Sequence, residues 1–233
     1  MKASDKMMEF MLDTANLEEI RKYNEIISLA GITSNPSILK KEGKIDFYAH
    51  MKTIRDIIGS EASLHVQVVA DNFNDIMKDA TAILDNIDTD VHIKIPVSEQ
   101  GLKAIKALKA DGINITATAI YTKFQAYLAI AAGADYIAPY FNRMENQNID
   151  PRAALTEMAK EVERTSSKTK ILAASFKNVG QVNAALECGA QAATMGVDIL
   201  QQALRMPAIN QAIADFTTDW EAIHGVGVRV SDL

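Results

Sequence analysis

Short apolar runs recur along this chain at intervals of roughly 20 to 30 residues, each followed by a stretch whose apolar positions repeat at helical spacing. That is the pattern of repeated βα units. It predicts strands at Glu9 to Asp13, Gly31 to Thr33, Leu64 to Val69, Val91 to Ile95, Ile113 to Thr118, Tyr136 to Pro139, Ile171 to Ser175 and Ala192 to Met195. Helix starts are marked by Asn16 ahead of Leu17-Glu18-Glu19 and by Ser98 ahead of Glu99, where a side-chain oxygen can accept from free amides. Returns from helix to strand carry glycine, at Gly31, Gly112, Gly133 and Gly189, which suits a left-handed cap. Eight strands joined in this way fit a closed (β/α)8 TIM barrel, although an open doubly wound sheet uses the same unit. Beyond the last strand a further helical stretch, 207–225, restarts at Met206-Pro207 and runs past Trp220 to Gly225. It has no place in the barrel count, and is expected to cover a barrel end or a neighbouring subunit.

Composition narrows the picture. With 233 residues, 48% of them hydrophobic, the chain can bury a large core, and 1–233 reads as one barrel domain. A net charge of -6 and no clustered basic run argue against a nucleic-acid partner. Lys40-Lys41 and Lys168 to Lys170 read as solvated helix ends. No apolar stretch approaches a membrane span and no secretory signal is visible, so no membrane partner is expected; the leading Met1 to Lys6 reads as an extension outside the fold. The lone cysteine, Cys188, excludes an intrachain disulfide and fits a reducing, cytoplasmic setting.

In a barrel of this kind reactive groups stand at the carboxyl ends of the strands. Those ends offer Asp13, Thr33 with Asn35, Gln67, Lys94, Thr118, Tyr140 with Arg143, and Ser175. In Val91-His92-Ile93-Lys94-Ile95-Pro96, alternation sends the aliphatic residues toward the helices and Lys94 into the barrel. Desolvation favours a free amine, the form that attacks a carbonyl to give an imine. Otherwise the stem packs and the ammonium reaches solvent or a carboxylate. His92 falls one layer deeper, as a hydrogen-bonded core residue or a base. Asp13 either steadies a protonated amine or bonds a substrate hydroxyl, or else caps the first helix, and Asn35 sits in a polar turn whose residues could simply satisfy turn and cap bonds. Gln67 and Thr118 interrupt apolar strand ends and could hold a water. Arg143 could fork onto an anion such as phosphate or form a surface ion pair. Ser175 lies on the strand where barrels often bind phosphate, while Lys177 reads as a surface charge at a helix start. His50, His65, His92 and His224 lack metal-ligand spacing, so no metal site is expected. Gly225-Val226-Gly227 lacks the strand-to-helix context of a nucleotide loop.

Five motifs together resemble the small transaldolase and fructose-6-phosphate aldolase family, across nearly the whole chain from Met8 to about Trp220. They are Leu12-Asp13-Thr14-Ala15, Gly31 to Ser37, Val91 to Pro96, Ala138 to Arg143 and Ala173 to Lys177. The resemblance implies that Lys94 forms the Schiff base, that Asp13, Thr33 and Asn35 line its pocket, and that Arg143 and Ser175 receive a sugar phosphate. It further implies catalysis without a cofactor and a ring-type homo-oligomer such as a decamer. Members that transfer carbon units typically carry glutamate and phenylalanine where this chain has Gln67 and Tyr140, the pair of the fructose-6-phosphate aldolase-like members. The reading is therefore cleavage of fructose 6-phosphate. The alternatives are a transaldolase moving a dihydroxyacetone unit between sugar phosphates and, from another class, a noncatalytic sugar-phosphate-binding barrel.

Overall fold

A computed structural model describes residues 8–233; the expected extension Met1 to Lys6 lies outside the described residues. Eight parallel strands close into one barrel in sequential order. They are β1 (Glu9–Asp13), β2 (Leu29–Thr33), β3 (Ser63–Gln67), β4 (His92–Pro96), β5 (Ile115–Ile120), β6 (Tyr136–Pro139), β7 (Lys170–Ala173) and β8 (Ala192–Met195). The helices are α1 (Leu17–Ile26), α2 (Pro36–Leu39), α3 (Phe47–Ile58), α4 (Phe73–Asn86), α5 (Glu99–Ala110), α6 (Lys123–Ala131), α7 (Phe141–Asn146), α8 (Pro151–Arg164), α9 (Val179–Glu187), α10 (Val197–Leu204) and α11 (Pro207–His224). The (β/α)8 expectation holds, and the open sheet is excluded because β8 pairs with β1.

Each strand sorts its side chains to two cores. Val91, Ile93 and Ile95 join the large apolar layer between barrel and helices. The residues between them point inward, where alternate strands fill the barrel in layers. The deeper layers hold Met11, Tyr136, Leu172 and Ala192 in one cluster. The ring of His65 stacks on His92 at 4.6 Å, and Tyr136 meets both rings edge-on at 5.2 and 5.3 Å. At the amino-terminal rim the Tyr136 hydroxyl donates to Glu9 at 2.7 Å, and Lys170 pairs with the same carboxylate. Lys170 is thus the first residue of β7 and part of the barrel's floor, not a solvated helix end.

Asn16 and Ser98 cap α1 and α5 as expected. Gly112, Gly133 and Gly189 take the left-handed backbone that their joints require. Gly31 does not. It lies within β2, where a side-chain carbon would stand 2.3 Å from Ser63 Oγ, so the position is fixed by close approach of β3. Strand β3 stops at Gln67, short of Val69, because the Asp79 carboxylate takes the amides of Val69 and Ala70 at 2.9 Å each. Strand β5 runs two residues past Thr118, across an irregularity at Ala119, whose φ is 56°. Among the described residues, helix α11 has none that is buried. No helix among the described residues is long and apolar enough to cross a membrane.

Candidate active site

A cavity of about 520 Å³ opens at the carboxyl ends of the strands, lined by Asp13, Asn35, Lys94, Tyr140, Arg143 and Ser175 together with residues that sequence reasoning passed over. Lys94 stands at its inner end, only 3% exposed. Its Nζ donates to the carbonyl oxygen of Ser34 at 3.3 Å, and among the described residues it has no carboxylate within ion-pair distance. Of the two local readings of this lysine, the solvated or paired one does not describe its position.

The neighbours are held by bonds of their own. Asp13 Oδ1 accepts from Thr33 Oγ1 at 2.7 Å, and Thr33 shares a second 2.7 Å bond with Thr194. Because Asn16 caps α1, the Asp13 carboxylate is free to face the cavity. Thr33 is fully buried behind it and does not itself line the cavity. Asn35 does both things that its turn allows: its Oδ1 accepts from Ile38 N at 3.0 Å to cap α2, and the residue still lines the cavity. Thr118, also fully buried, shares a 2.9 Å hydrogen bond with the Tyr140 hydroxyl. Gln67 pairs in register with Lys94 on the next strand. Its buried Oε1 has no hydrogen-bond partner among the described residues. An orphan acceptor of that kind calls for a donor such as water.

Arg143 projects from α7 at the mouth, with its guanidinium carbon 4.8 Å from the centre of the Tyr140 ring. Its Nη1 donates to the Tyr121 hydroxyl at 3.2 Å, the main cause raising its pKa, and it forms no surface ion pair among the described residues. Ser175 follows β7 with a φ of 63°, a strained turn that brings it to the cavity wall. Lys41 and Lys177, read from sequence as solvated charges, are exposed but also line the mouth.

Thr194 and Asp198 also line the wall, and neither stands out in the sequence reading above. For Thr194 a signal existed: alternation along Ala192 to Met195 sends it inward, and β8 was the one strand to which no polar residue had been assigned. Asp198 sits in the first turn of α10, where an acidic residue at a helix start carries no particular flag.

Directly below Lys94 the barrel interior holds two stacked imidazoles with hydroxyl neighbours. His65 is fully buried, with Nδ1 2.7 Å from Thr116 Oγ1 and Nε2 2.8 Å from Ser63 Oγ. The Ser63 hydroxyl also stands 3.1 Å from Ala30 O and so ties the His65 ring to the backbone of β2. Burial first, then the charges of His92 and Lys94, push the pKa of His65 well below its ordinary value. Burial likewise lowers His92 to about 4. His92 differs from the hydrogen-bonded core residue expected, since its Nδ1 has no partner among the described residues.

A family model described as Transaldolase/Fructose-6-phosphate aldolase matches residues 10–231. A protein of Streptococcus pneumoniae (strain ATCC 700669 / Spain 23F-1) named "Probable fructose-6-phosphate aldolase" is 55% identical over 216 residues, which cover 93% of this chain and 97% of the relative.

Proposed function

Because the chain belongs to the transaldolase/fructose-6-phosphate aldolase family, we propose that it is a Schiff-base aldolase that reversibly cleaves fructose 6-phosphate into dihydroxyacetone and glyceraldehyde 3-phosphate. The observation that carries this reading is Lys94: a buried amine without a carboxylate partner, at the inner end of a cavity whose mouth holds Arg143 and Ser175.

In the mechanism, the Lys94 amine adds to the ketone carbon, and loss of water leaves a cationic imine that serves as the electron sink. Asp13 faces that cation and stabilises its charge. The phosphate lies at the mouth against Arg143 and Ser175, with Asn35 bonding a substrate hydroxyl. Tyr140 and a water held by Gln67 and Thr118 take the proton from the C4 hydroxyl as the C3 to C4 bond breaks. The electron pair passes into the imine, giving an enamine on Lys94 and releasing the aldehyde. Protonation of the enamine and hydrolysis of the imine then release dihydroxyacetone and restore the amine. The lysine imine supplies the electrophile, so this scheme calls for no metal or organic cofactor.

Gln67 and Tyr140 favour cleavage over transfer, because a water positioned by neutral groups beside a phenol can deliver the proton that discharges the enamine. The name of the Streptococcus relative supports the same reading. Fructose 6-phosphate should release dihydroxyacetone without an acceptor, and borohydride added during turnover should leave the reduced three-carbon fragment on Lys94. Strict dependence on erythrose 4-phosphate would make the enzyme a transaldolase. Binding without any trapped adduct would make it a noncatalytic sugar-phosphate barrel.

We read 1–233 as one barrel domain with a helical extension at 207–225, working in the cytoplasm, where the lone Cys188 would stay reduced. The extension exposes Ile209, Ile213, Phe216 and Ile223. On the barrel, an apolar groove of about 810 Å³ runs between β1, the turn into β2, α9 and α10 and includes Phe10, Leu29, Val182 and Leu200. Both surfaces are covered if α11 of one copy lies in the groove of the next, which builds a ring-type homo-oligomer.

A further inference from the structure

We infer that Tyr121 is the residue that sets Arg143 in place for a phosphorylated substrate, an inference that deepens the aldolase reading and rests on it. An exposed arginine at a cavity mouth has many rotamers, and ordering them on binding costs affinity. Here the protein's own side chains bracket the guanidinium. Its face lies over Tyr140, with 4.8 Å from the guanidinium carbon to the ring centre, and its Nη1 donates to the Tyr121 hydroxyl at 3.2 Å. The two phenol rings brace each other edge-on, with centres 5.5 Å apart and planes at 76°.

The chemistry of the brace matters as much as its geometry. A carboxylate at position 121 would hold the arginine equally well but cancel its charge. A phenol oxygen accepts the hydrogen bond and leaves the cation uncompensated for an anion, and among the described residues no ion pair neutralises Arg143.

Tyr121 is itself fixed by a side chain that nothing in the chemistry requires. Its backbone N–H donates to Gln125 Oε1 at 3.0 Å, while Gln125 Nε2 donates to Val97 O at 3.1 Å and to Ala119 O at 3.2 Å. Thr118, three residues earlier in β5, holds the Tyr140 hydroxyl. One short segment, 118–121, thus registers the acid–base phenol and the phosphate-binding cation against each other. Tyr121 is a positioning residue in this arrangement, acting through Arg143.

The test runs in the direction of synthesis, with dihydroxyacetone and either glyceraldehyde 3-phosphate or glyceraldehyde, for the wild type, Tyr121→Phe, Arg143→Gln and the double variant. Phenylalanine keeps the ring and its contact with Tyr140 and removes only the acceptor oxygen. Tyr121→Phe should raise KM for the phosphorylated aldehyde roughly three- to tenfold, the effect of one lost hydrogen bond, with kcat and the unphosphorylated aldehyde unaffected. In the Arg143→Gln background the same change should add nothing. An equal loss of kcat with both aldehydes, or an undiminished effect without Arg143, overturns the inference. If the wild type forms no borohydride-trapped adduct with dihydroxyacetone, the aldolase reading falls instead, and the inference with it.

Discussion

At the scale of single residues, the proposed mechanism gives imine formation and proton transfer to different side chains, Lys94 and Tyr140. Tyr140→Phe should lower kcat by about two to four orders of magnitude, the usual contribution of a placed acid–base group, while the imine still forms on Lys94. Borohydride trapping at wild-type yield alongside lost turnover would show this, whereas loss of trapping would mean that Tyr140 serves imine formation as well. A second prediction concerns the pair beneath the lysine. His92 is held near 4 against an ordinary 6.5, and His65 is shifted in the same direction. The unfolded chain therefore binds protons that the folded one refuses, so their stabilisation is complete above about pH 6.5 and is lost as pH falls toward 4. Denaturant midpoints should already decline between pH 6.5 and about 5, before most carboxylates titrate, and His92→Phe should flatten that decline. An unchanged slope in the variant would refute the assignment. Much of this residue-level picture was legible in sequence, because alternation fixes which side of a strand Lys94, Gln67 and Thr118 occupy. The stacking of His65 on His92 was not legible: the two lie far apart along the chain and meet only through the pairing of β3 with β4.

At the scale of elements, strand ends prove to be where the sequence pattern and the structure part. Hydrophobic alternation continued β3 to Val69, but a side chain from α4, Asp79, claims the next amides and turns the chain away. In β5 the alternation breaks at Ala119, where a left-handed alanine lets the strand continue to Ile120. Nothing in an alanine announces that conformation. The joint after β4 is tighter still. At Gly101, in the first turn of α5, an added side-chain carbon would stand 1.9 Å from the Pro96 carbonyl oxygen, so the helix start abuts the end of the strand that carries Lys94. Gly101→Ala should cost about 2 kcal/mol through overpacking, seen as a fall of several degrees in melting temperature, and should slow imine formation as β4 shifts. An unshifted melting curve would show that the joint yields freely.

At the scale of the whole molecule, the barrel was foreseeable from eight repeats of one unit, but the extension was not assignable to a partner from sequence, because an apolar helix face does not say what covers it. If α11 seats on a neighbouring copy, Phe216→Asp should split the assembly into monomers with the barrel's helical content intact, as measured by light scattering and circular dichroism. An assembly of unchanged mass would remove α11 from the interface. A last consequence follows from the amino-terminal rim, where Glu9, Tyr136 and Lys170 lock together below the packed Met11 and Leu172. With that end stoppered, traffic uses a single door. In the proposed cleavage the ketone half is tethered deepest and the aldehyde half stands between it and the exit, so departure is sequential: aldehyde first, ketone last. Product inhibition should carry that signature, with dihydroxyacetone competing directly against fructose 6-phosphate and glyceraldehyde 3-phosphate inhibiting in a mixed pattern.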